Sequence, residues 1–404
     1  MHNLNFASNE NFAEARKALP LLLQKNQGQS GQASEQLQKT VAEKFKVEAN
    51  QVFFTLAARS ALYLFLKSLN LAKNSEVLVQ AFTCEAVVLP VLAAHLKPQY
   101  VDIEEQTYSM NFNDLVSKIG EQSRVLILQH SFAMLPRDRE KIFQLAKKHQ
   151  LIVIEDLAHG FVPELLKDQT NPSSKLLSFG RSKFFSAVYG GAIIVEKKLI
   201  NQQFKDSITQ LEPVNNQFIR QALLYKICTP MMKSTYHFGG KLFHALFSYL
   251  GIFHQEISSK EKEGDYDEWL NKALPNVFAQ LLLEQIENYP ATHAHRQQIA
   301  QLYWQEFPQQ MRKDNLPSLR YPILIDQADL FLAKMAAKGY ILGNWYRQVV
   351  APPGLDLVKV KYQAGSCSQA ERMSRAVVNL PLNISLKEAE KLLTVITNVK
   401  KNFN

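Results

Sequence analysis

Two short segments carry side chains that could share one chemical site. Asp156 and His159 follow a β-branched run, and Lys183 follows Ser178 about one strand later. Ligands of open α/β sheets bind beyond the carboxyl ends of the strands, so both segments could reach one crevice. An Asp at a strand end and a Lys on a loop are also common surface charges. The pair alone therefore leaves a shared site and two solvated charges as equal alternatives.

The surrounding sequence alternates short β-branched runs with helical patterns from about residue 50 to 200. This alternation is typical of a parallel sheet with helical crossovers. The predicted strands are 52–56, 76–80, 99–103, 124–129 and 151–155, with 175–179 and 190–195 expected to add antiparallel. The predicted helices are 60–69, 85–95, 113–119 and 137–149. The pattern indicates a doubly wound α/β domain that ends near residue 200.

Two further regions follow this domain. Residues 213–255 contain no Asp or Glu, but they hold Arg220, Lys226, Lys233 and Lys241 among many apolar side chains. Beyond them, 275–310 reads as a helical stretch kinked at Pro290, and 318–325, 330–338, 340–344 and 386–399 indicate a smaller α/β domain. We therefore divide the chain into an N-terminal arm (1–34), a large domain (35–212), a basic apolar helical insertion (213–262), and a long helix with a small C-terminal domain (263–404).

The composition excludes several classes of protein. With 404 residues, 46% of them hydrophobic, the chain is neither disordered nor collagen-like. The net charge of +9 is modest for this length, and no zinc-finger spacing or basic recognition helix accompanies it. We predict no metal site and no nucleic-acid partner. Three scattered cysteines, no secretory pattern at the start and no long uncharged apolar run predict a cytoplasmic protein.

Several motifs, in their order and spacing, resemble the DegT-type sugar aminotransferases. They are ARSALYL at 58–64, EVLVQAFT at 76–83, VDI at 101–103, ED-x-AH at 155–159 and SF-x-x-x-K at 178–183, followed by GG at 190–191. The resemblance spans roughly residues 35–200 and resumes around 275–395. It implies the aspartate-aminotransferase-like α/β fold. In that fold, a large domain with a mostly parallel seven-stranded sheet between helices is joined to a smaller α/β C-terminal domain.

The resemblance also implies pyridoxal 5′-phosphate as cofactor and assigns roles to the motif residues. Lys183 would bind the cofactor as a Schiff base and then carry the transferred proton, which requires a partly desolvated amine. Asp156 would keep the pyridine nitrogen protonated, so that the ring accepts electrons. His159 takes the place where the family has His or Gln near the ring hydroxyl, with a structural loop histidine as the alternative. Ser178 matches the serine that binds the cofactor phosphate.

Two positions depart from the family pattern. Ala58-Arg59-Ser60 stands at the family's phosphate cup, where Ala58 replaces a glycine and Arg59 a threonine. The backbone donors of a helix N-terminus remain, and the Arg59 guanidinium could bind phosphate directly or point into solvent. Cys84 stands where the family usually stacks an aromatic residue on the cofactor ring. Either another aromatic residue, such as Phe132, takes that place or the ring is held less tightly.

The implied activity is transfer of an amino group, with glutamate as the expected donor, to a keto-sugar on a nucleotide or lipid diphosphate. Such a reaction would serve polysaccharide or secondary-metabolite biosynthesis. A different pyridoxal-phosphate reaction is one alternative, although sugar dehydratases of this family carry His where this chain has Lys183. A non-catalytic or regulatory relative is another, against which the joint presence of Asp156 and Lys183 argues.

The resemblance and the insertion also predict partners. Pro275-Asn276 and the NLPL segment at 379–382 resemble family segments that imply a homodimer with a shared active site. One helical stripe of the insertion is apolar and contains Leu242, Phe243, Leu246, Phe247, Leu250 and Phe253. It predicts either a helical subdomain packed on the protein or dimer, or a peripheral contact of 213–255 with the inner face of the membrane. We expect this stretch to lie away from every predicted catalytic residue.

Overall fold

The computed structural model describes residues 2–3, 10–24, 31–168, 170–236 and 239–401. Its strands are β1 (His2–Asn3), β2 (Val52–Thr55), β3 (Glu76–Gln80), β4 (Lys97–Val101), β5 (Ser123–Gln129), β6 (Ile152–Asp156), β7 (Ser174–Ser178), β8 (Gly191–Ile194), β9 (Arg320–Leu324), β10 (Tyr340–Ile341) and β11 (Val377–Pro381). Within the described residues, seven of these strands form one sheet in the order β2-β8-β7-β6-β5-β3-β4.

The strand directions in this sheet are mostly parallel. Strands β3 to β7 run parallel to one another, and β8 runs antiparallel to both β2 and β7. The predicted mostly parallel sheet is confirmed, but the antiparallel direction predicted for the sixth strand, 175–179 (β7), is wrong. Residues 157–173 return the chain to the edge at which β6 begins, so β7 pairs parallel with β6 from Ser174 onward.

Helices cover both faces of the sheet and form most of the remaining chain. They are α1 (Phe12–Leu21), α2 (Gln32–Phe45), α3 (Ala58–Ser68), α4 (Glu85–Ala93), α5 (Phe112–Lys118), α6 (Arg139–Lys148), α7 (Gln202–Thr209), α8 (Asn216–Ser234), α9 (Gly240–Tyr249), α10 (Ser259–Lys262), α11 (Asn276–Glu287), α12 (Tyr289–Glu306), α13 (Ala328–Ala337), α14 (Ser368–Ala376) and α15 (Leu386–Lys401). The predicted kink is a break at Asn288, and Pro290 occupies the first turn of α12, where its missing N–H costs nothing.

The apolar residues of the sheet alternate between its two faces. Ile127 and Ile154 pack in the same cluster as α3 and α4. Leu126, Leu128 and Val153 pack with α5 and α6 on the other face. A strand that is buried on both faces has a continuous apolar run in its sequence. Such runs are the signal from which the strands of this sheet are predicted. Each such side chain contributes roughly 1.5–3 kcal/mol through burial.

The C-terminal region and the insertion pack around this sheet. Strands β9 and β11 pair antiparallel beside α12 to α15, as the predicted smaller α/β unit requires. In the insertion, α8 packs on α1 and carries α9 on its outer side. Of the helices in the described ranges, none is both long and apolar enough to cross a membrane.

Candidate active site

The structure brings Asp156 and Lys183 to one cavity of about 310 Å³. Asp156 is the last residue of β6, and Lys183 lies on the loop between β7 and β8. The cavity therefore sits beyond the carboxyl ends of the parallel strands, where open α/β sheets bind ligands. Seven of the eight predicted site residues line it, namely Ala58, Arg59, Cys84, Asp156, His159, Ser178 and Lys183.

The Asp156 carboxylate is buried and held by its own turn. Only 2% of the residue is exposed, and Oδ1 accepts a hydrogen bond of 2.9 Å from the Ala158 N–H. Burial raises the pKa of the Asp156 carboxyl, while the Ala158 N–H and the Lys183 charge oppose that rise. The ionised carboxylate therefore depends on a cation in the cavity, which Lys183 now provides and a protonated ring nitrogen could provide.

The Lys183 amine faces the cavity without a fixed partner. In the described part of the chain no hydrogen bond or ion pair holds this amine, and its Nζ lies 5.2 Å from the centre of the Trp345 ring. The backbone reaches this position through Ser182, which has a positive φ of 59°. An amine placed in this way can react with a carbonyl carbon once it loses its proton.

His159 is a neutral hydrogen-bonding group with a fixed tautomer. Its Nδ1 accepts from the Phe132 N–H at 2.8 Å, so Nε2 carries the proton and donates to the Tyr346 hydroxyl at 2.8 Å. Burial, together with the charges of Lys183 and Arg320, holds the pKa of His159 well below its usual range. A histidine that stays neutral is better suited to a hydrogen bond near the ring hydroxyl of the cofactor than to proton transfer.

Two of the aromatic residues that line the cavity come from a segment to which the sequence pattern assigns no role. Trp345 and Tyr346 line the cavity near Cys84, whereas Phe132 is buried among Phe82 and Tyr108 and does not line it. Burial raises the pKa of the Cys84 thiol to about 12, so it stays protonated. Two adjacent aromatic residues in the loop that follows β10 were the available signal, but nothing local linked them to β6.

The opposite end of the cavity is built from a close approach of two chain segments. A Cβ on Gly191 would lie 2.1 Å from the Ala58 nitrogen, so only glycine lets β8 pass beside the first turn of α3. This approach places the N-terminus of α3 beside Ser178, where free backbone N–H groups favour an anion. The Ser60 hydroxyl points elsewhere and donates to the Leu270 carbonyl at 2.8 Å.

Arg59 is buried at this end rather than directed into solvent, so the solvent alternative is wrong. It is 9% exposed, and its Nε lies 2.9 Å from Glu261 Oε1. One terminal nitrogen donates to the Glu256 carbonyl at 2.9 Å. A second arginine, Arg181, donates to the His254 carbonyl at 2.7 Å.

The end of the insertion therefore reaches the site. The expectation for residues 213–255 stays a prediction, but the residues that follow this stretch continue into α10 beside Arg59. Glu256 and Ile257 line the cavity itself. A composition shift identified the insertion, but it carried no information about the direction in which its C-terminal segment runs.

These residues fit pyridoxal 5′-phosphate. A buried carboxylate suits the ring nitrogen, a neighbouring amine suits the aldehyde, and a helix N-terminus with an arginine suits the phosphate. The feature that opposes a phosphate is the pair of carboxylates of Glu85 and Glu261 beside Arg59, together with Glu256 in the cavity lining.

Comparison with known sequences identifies a family and individual relatives. The profile of the DegT/DnrJ/EryC1/StrS aminotransferase family matches residues 9–221, just over half of the chain. GDP-perosamine synthase of Escherichia coli O157:H7 is 28% identical over 142 residues, 35% of this chain and 39% of that protein. A UDP-N-acetyl-3-dehydro-alpha-D-glucosamine 3-aminotransferase of Acidithiobacillus ferrooxidans is 31% identical over 137 residues, 33% and 37% of the two chains. The alignments thus span about two fifths of these curated relatives.

Solved structures match over nearly the whole chain. Bacillus subtilis NtdA, solved with bound cofactor PMP, aligns with a TM-score of 0.71 and 19% identity over 99% of this chain and 86% of its own. Helicobacter pylori PseC, an aminotransferase involved in pseudoaminic acid biosynthesis, aligns with a TM-score of 0.69 and 17% identity over 96% of each chain. At these identities the likeness establishes the fold. Together with the family profile, it means that the chain belongs to the DegT/DnrJ/EryC1/StrS aminotransferase family, whose enzymes depend on pyridoxal phosphate.

Proposed function

We propose that this protein is a pyridoxal-phosphate-dependent aminotransferase that transfers an amino group, from glutamate, to a keto-sugar carried on a nucleotide or lipid diphosphate. The observation that carries the proposal is the Lys183 amine and the buried Asp156 carboxylate on one cavity of a family member. A binding module would need neither of these groups. The names of the relatives, which include sugar aminotransferases, support the sugar acceptor.

Each of these residues has a separate task in such a reaction. Bound pyridoxal phosphate supplies an electron sink for the electrons released when a carbon–hydrogen bond breaks. The Lys183 amine would hold the aldehyde of the cofactor, and as a neutral amine it could accept and return a proton beside it. The Asp156 carboxylate would keep a proton on the ring nitrogen of the cofactor, and His159, whose Nε2 donates to the Tyr346 hydroxyl, would supply a neutral hydrogen-bonding group near the ring hydroxyl. Trp345 and Tyr346 exclude water from one side.

Absorbance spectroscopy tests the proposal. Wild-type protein incubated with pyridoxal phosphate should gain a visible band from the lysine-bound cofactor, and Lys183→Ala should lack it. Lys175→Ala is the matched control, because Lys175 lies eight positions away on β7 and does not line the cavity. Glutamate should bleach the band while glutamine leaves it unchanged. A wild-type protein that stays colourless would favour the non-catalytic alternative.

We also propose a homodimer in the cytoplasm. The family resemblance of Pro275-Asn276 at the start of α11 supports a site shared between subunits. The cysteines Cys84, Cys228 and Cys367 are free thiols, which supports a reducing compartment. Light scattering during gel filtration should give twice the mass of 46.1 kDa, and a monomeric mass at micromolar concentration would contradict the dimer.

The outer face of α9 supports a third proposal, a peripheral contact with an anionic membrane. Its exposed apolar side chains are Leu242, Phe243, Leu246, Tyr249 and Leu250, each at least 44% exposed. Lys241 and Arg220 are exposed nearby, whereas Lys226 is buried against Glu10 at 2.9 Å. Each exposed basic residue adds about 1 kcal/mol near an anionic surface, so burial of the apolar face would supply most of the binding.

Vesicle co-sedimentation tests this contact. Phe247 packs on Phe253 with ring centres 5.4 Å apart, so it is left intact. Wild-type protein should sediment with phosphatidylglycerol vesicles and much less with phosphatidylcholine, and Leu242→Glu plus Leu246→Glu should abolish sedimentation. Leu330→Glu plus Val358→Glu, at exposed apolar positions elsewhere, is the matched control. Equal sedimentation of the two double variants would contradict the contact.

A further inference from the structure

The guanidinium of Arg59 is surrounded by acidic groups from separate elements. Arg59 lies in the first turn of α3, and its Nε is 2.9 Å from Glu261 Oε1 on α10. A terminal nitrogen is 3.7 Å from Glu85 Oε1, at the start of α4. All three residues are at least nine-tenths buried. The arginine at the phosphate end of the cavity therefore already has counter-ions.

The charges at this end oppose an incoming anion. Arg59 is faced by the carboxylates of Glu85 and Glu261, a formal balance of −1 when both are ionised, while the charges of Glu256 and Arg181, also at this end, cancel. Glu85 and Glu256 line the cavity. In a buried site such charges interact much more strongly than in water. A phosphate dianion beside Arg59 would therefore raise the free energy of every neighbouring carboxylate that stays ionised.

The contact between Arg59 and Glu261 is held by charge rather than by hydrogen-bond geometry. Within the described residues, neither Arg59 Nε nor Glu261 Oε1 has a hydrogen-bond partner, although they lie 2.9 Å apart. Because this ion pair has no directed hydrogen bond to break, a second acceptor that approaches the guanidinium costs the pair little interaction energy. Arg59 can therefore turn its terminal nitrogens toward a phosphate while Glu261 stays nearby.

Glu85 is the carboxyl group best placed to lose its charge. Burial, with the negative charges of Glu261 and Glu256, raises its pKa to about 7 against the opposing effect of Arg59. Glu261 also has a raised pKa, mainly through burial. The thiol of Cys84 and the phenols of Tyr189, Tyr266 and Tyr346 around this end stay neutral, because burial raises their pKa values. The charge of Arg181 acts on Tyr189 at this end, and that of Lys183 acts on Cys84.

We propose that Arg59 is the phosphate ligand of this cavity, paired in the ligand-free protein with Glu261 and Glu85, and that phosphate binding is coupled to uptake of one proton by Glu85. The proposal deepens the proposed function, on which its use of pyridoxal phosphate rests. The insertion then has a role at the site, since it supplies Glu261 and the Glu256 carbonyl that hold the arginine.

A comparison of two aldehydes isolates the phosphate. Pyridoxal phosphate and pyridoxal share the aldehyde and the ring, so their affinity ratio reports on the phosphate alone. Above pH 7 the free protein has an ionised Glu85, and binding of the dianion must protonate it. The affinity for pyridoxal phosphate divided by that for pyridoxal should fall by about tenfold when the pH rises from 7.0 to 8.5. Calorimetry at pH 8 in buffers of different ionisation enthalpy should register the uptake of about one proton.

The experiment titrates the full-length protein and three variants with both aldehydes and follows the visible band. Glu85→Gln should keep the ratio within about twofold across this pH range and should take up no proton. Glu263→Gln, an exposed carboxylate two positions from Glu261, should behave as wild type. Arg59→Lys should weaken binding of pyridoxal phosphate but leave that of pyridoxal unchanged. Thermal melting of each variant confirms that it is folded.

Two results would overturn the proposal: an equal fall of the ratio in Glu85→Gln and wild type, or an unchanged ratio in Arg59→Lys. Failure of the proposed function looks different, because neither aldehyde would then give a visible band at any pH. Inorganic phosphate, titrated by calorimetry, still tests the proposal in that case. It should bind the wild type more weakly at pH 8.5 than at pH 7.0, and binding that is identical in wild type and Arg59→Lys would contradict it.

Discussion

At the scale of single residues, the site depends on buried groups whose charge is set by their neighbours. Asp156 is the clearest case, because burial disfavours its charge and a nearby cation restores it. His159 is the opposite case, since burial and two cations keep it neutral. A carboxylate that stays ionised only beside a cation is well suited to keep a ring nitrogen protonated.

The Asp156→Asn variant tests this assignment. An amide cannot stabilise a protonated ring nitrogen, so the rate of amino transfer should fall on the order of 10²–10³-fold. The affinity for pyridoxal phosphate should change much less, because the lysine and phosphate contacts remain. Stopped-flow bleaching of the visible band by glutamate measures the rate. Asp206→Asn, on the exposed side of α7, is the control, and a rate within threefold of wild type in Asp156→Asn would contradict the role.

Sequence alone could identify the residues on β6 and the following loop, but not those that come to the site from elsewhere. Asp156, His159 and Lys183 lie within one supersecondary unit, and their spacing carries information. Trp345 and Glu261 lie far along the chain from β6, and only the tertiary fold brings them to the cavity. A contact across such a distance leaves no periodicity or spacing in a single sequence.

At the scale of elements, the cavity depends on the approach of β8 to the first turn of α3. The Gly190-Gly191 pair makes this possible, since Gly190 has a φ of +144° and Gly191 leaves no room for a Cβ. The same pair that marks the start of β8 in the sequence therefore positions the phosphate end.

Gly191→Ala should disrupt this approach. The new Cβ would lie 2.1 Å from the Ala58 nitrogen, so α3 or β8 must shift. We expect a loss of roughly 1–3 kcal/mol of stability and weaker binding of pyridoxal phosphate, with pyridoxal less affected. Gly120→Ala is the control, because nothing lies within 4 Å of a Cβ there. Thermal melting and aldehyde titration measure both effects, and a Gly191→Ala protein that matches the control would contradict the packing argument.

Most elements could be predicted from hydrophobic pattern, whereas their directions and partners could not. The strands of the sheet fall within about two residues of the predicted bounds, because apolar runs limited by turns are local signals. The direction of β7 was predicted wrongly, because a strand's own residues do not record where the preceding loop returns the chain. The short helices α1, α7 and α14 lacked a pattern strong enough to predict.

At the scale of the whole molecule, two buried groups make stability depend on pH in opposite directions. His159 has a folded pKa well below 6.5, so the unfolded chain binds a proton that the folded protein excludes. Its contribution to stability is lost as the pH falls through 6.5. Glu85 has a pKa raised from 4.5 to about 7, so its contribution is present at low pH and is lost as the pH rises toward 7.

Variants at these two positions should separate the effects. When the pH falls from 7.5 to 5.5, the free energy of unfolding of His159→Gln should rise by about 1.4 kcal/mol relative to that of wild type. The free energy of unfolding of Glu85→Gln should fall by about 2 kcal/mol relative to wild type over the same range. Gln at 159 can still accept from the Phe132 N–H and donate to Tyr346. Scanning calorimetry at the two pH values follows the change in Tm of each variant against wild type. Shifts of the same sign in both variants would contradict the assignment.

The return of the insertion to the cavity limits how this protein can be shortened. A minimal enzyme, made by joining residue 212 to 263, would remove Glu261 and the carbonyls of Glu256 and His254 that hold Arg59 and Arg181. Both guanidinium groups would then be left charged with fewer partners, which is among the most destabilising changes a protein can undergo. A working truncation must therefore supply new partners for Arg59 and Arg181, which makes the insertion and the phosphate end a single unit of design.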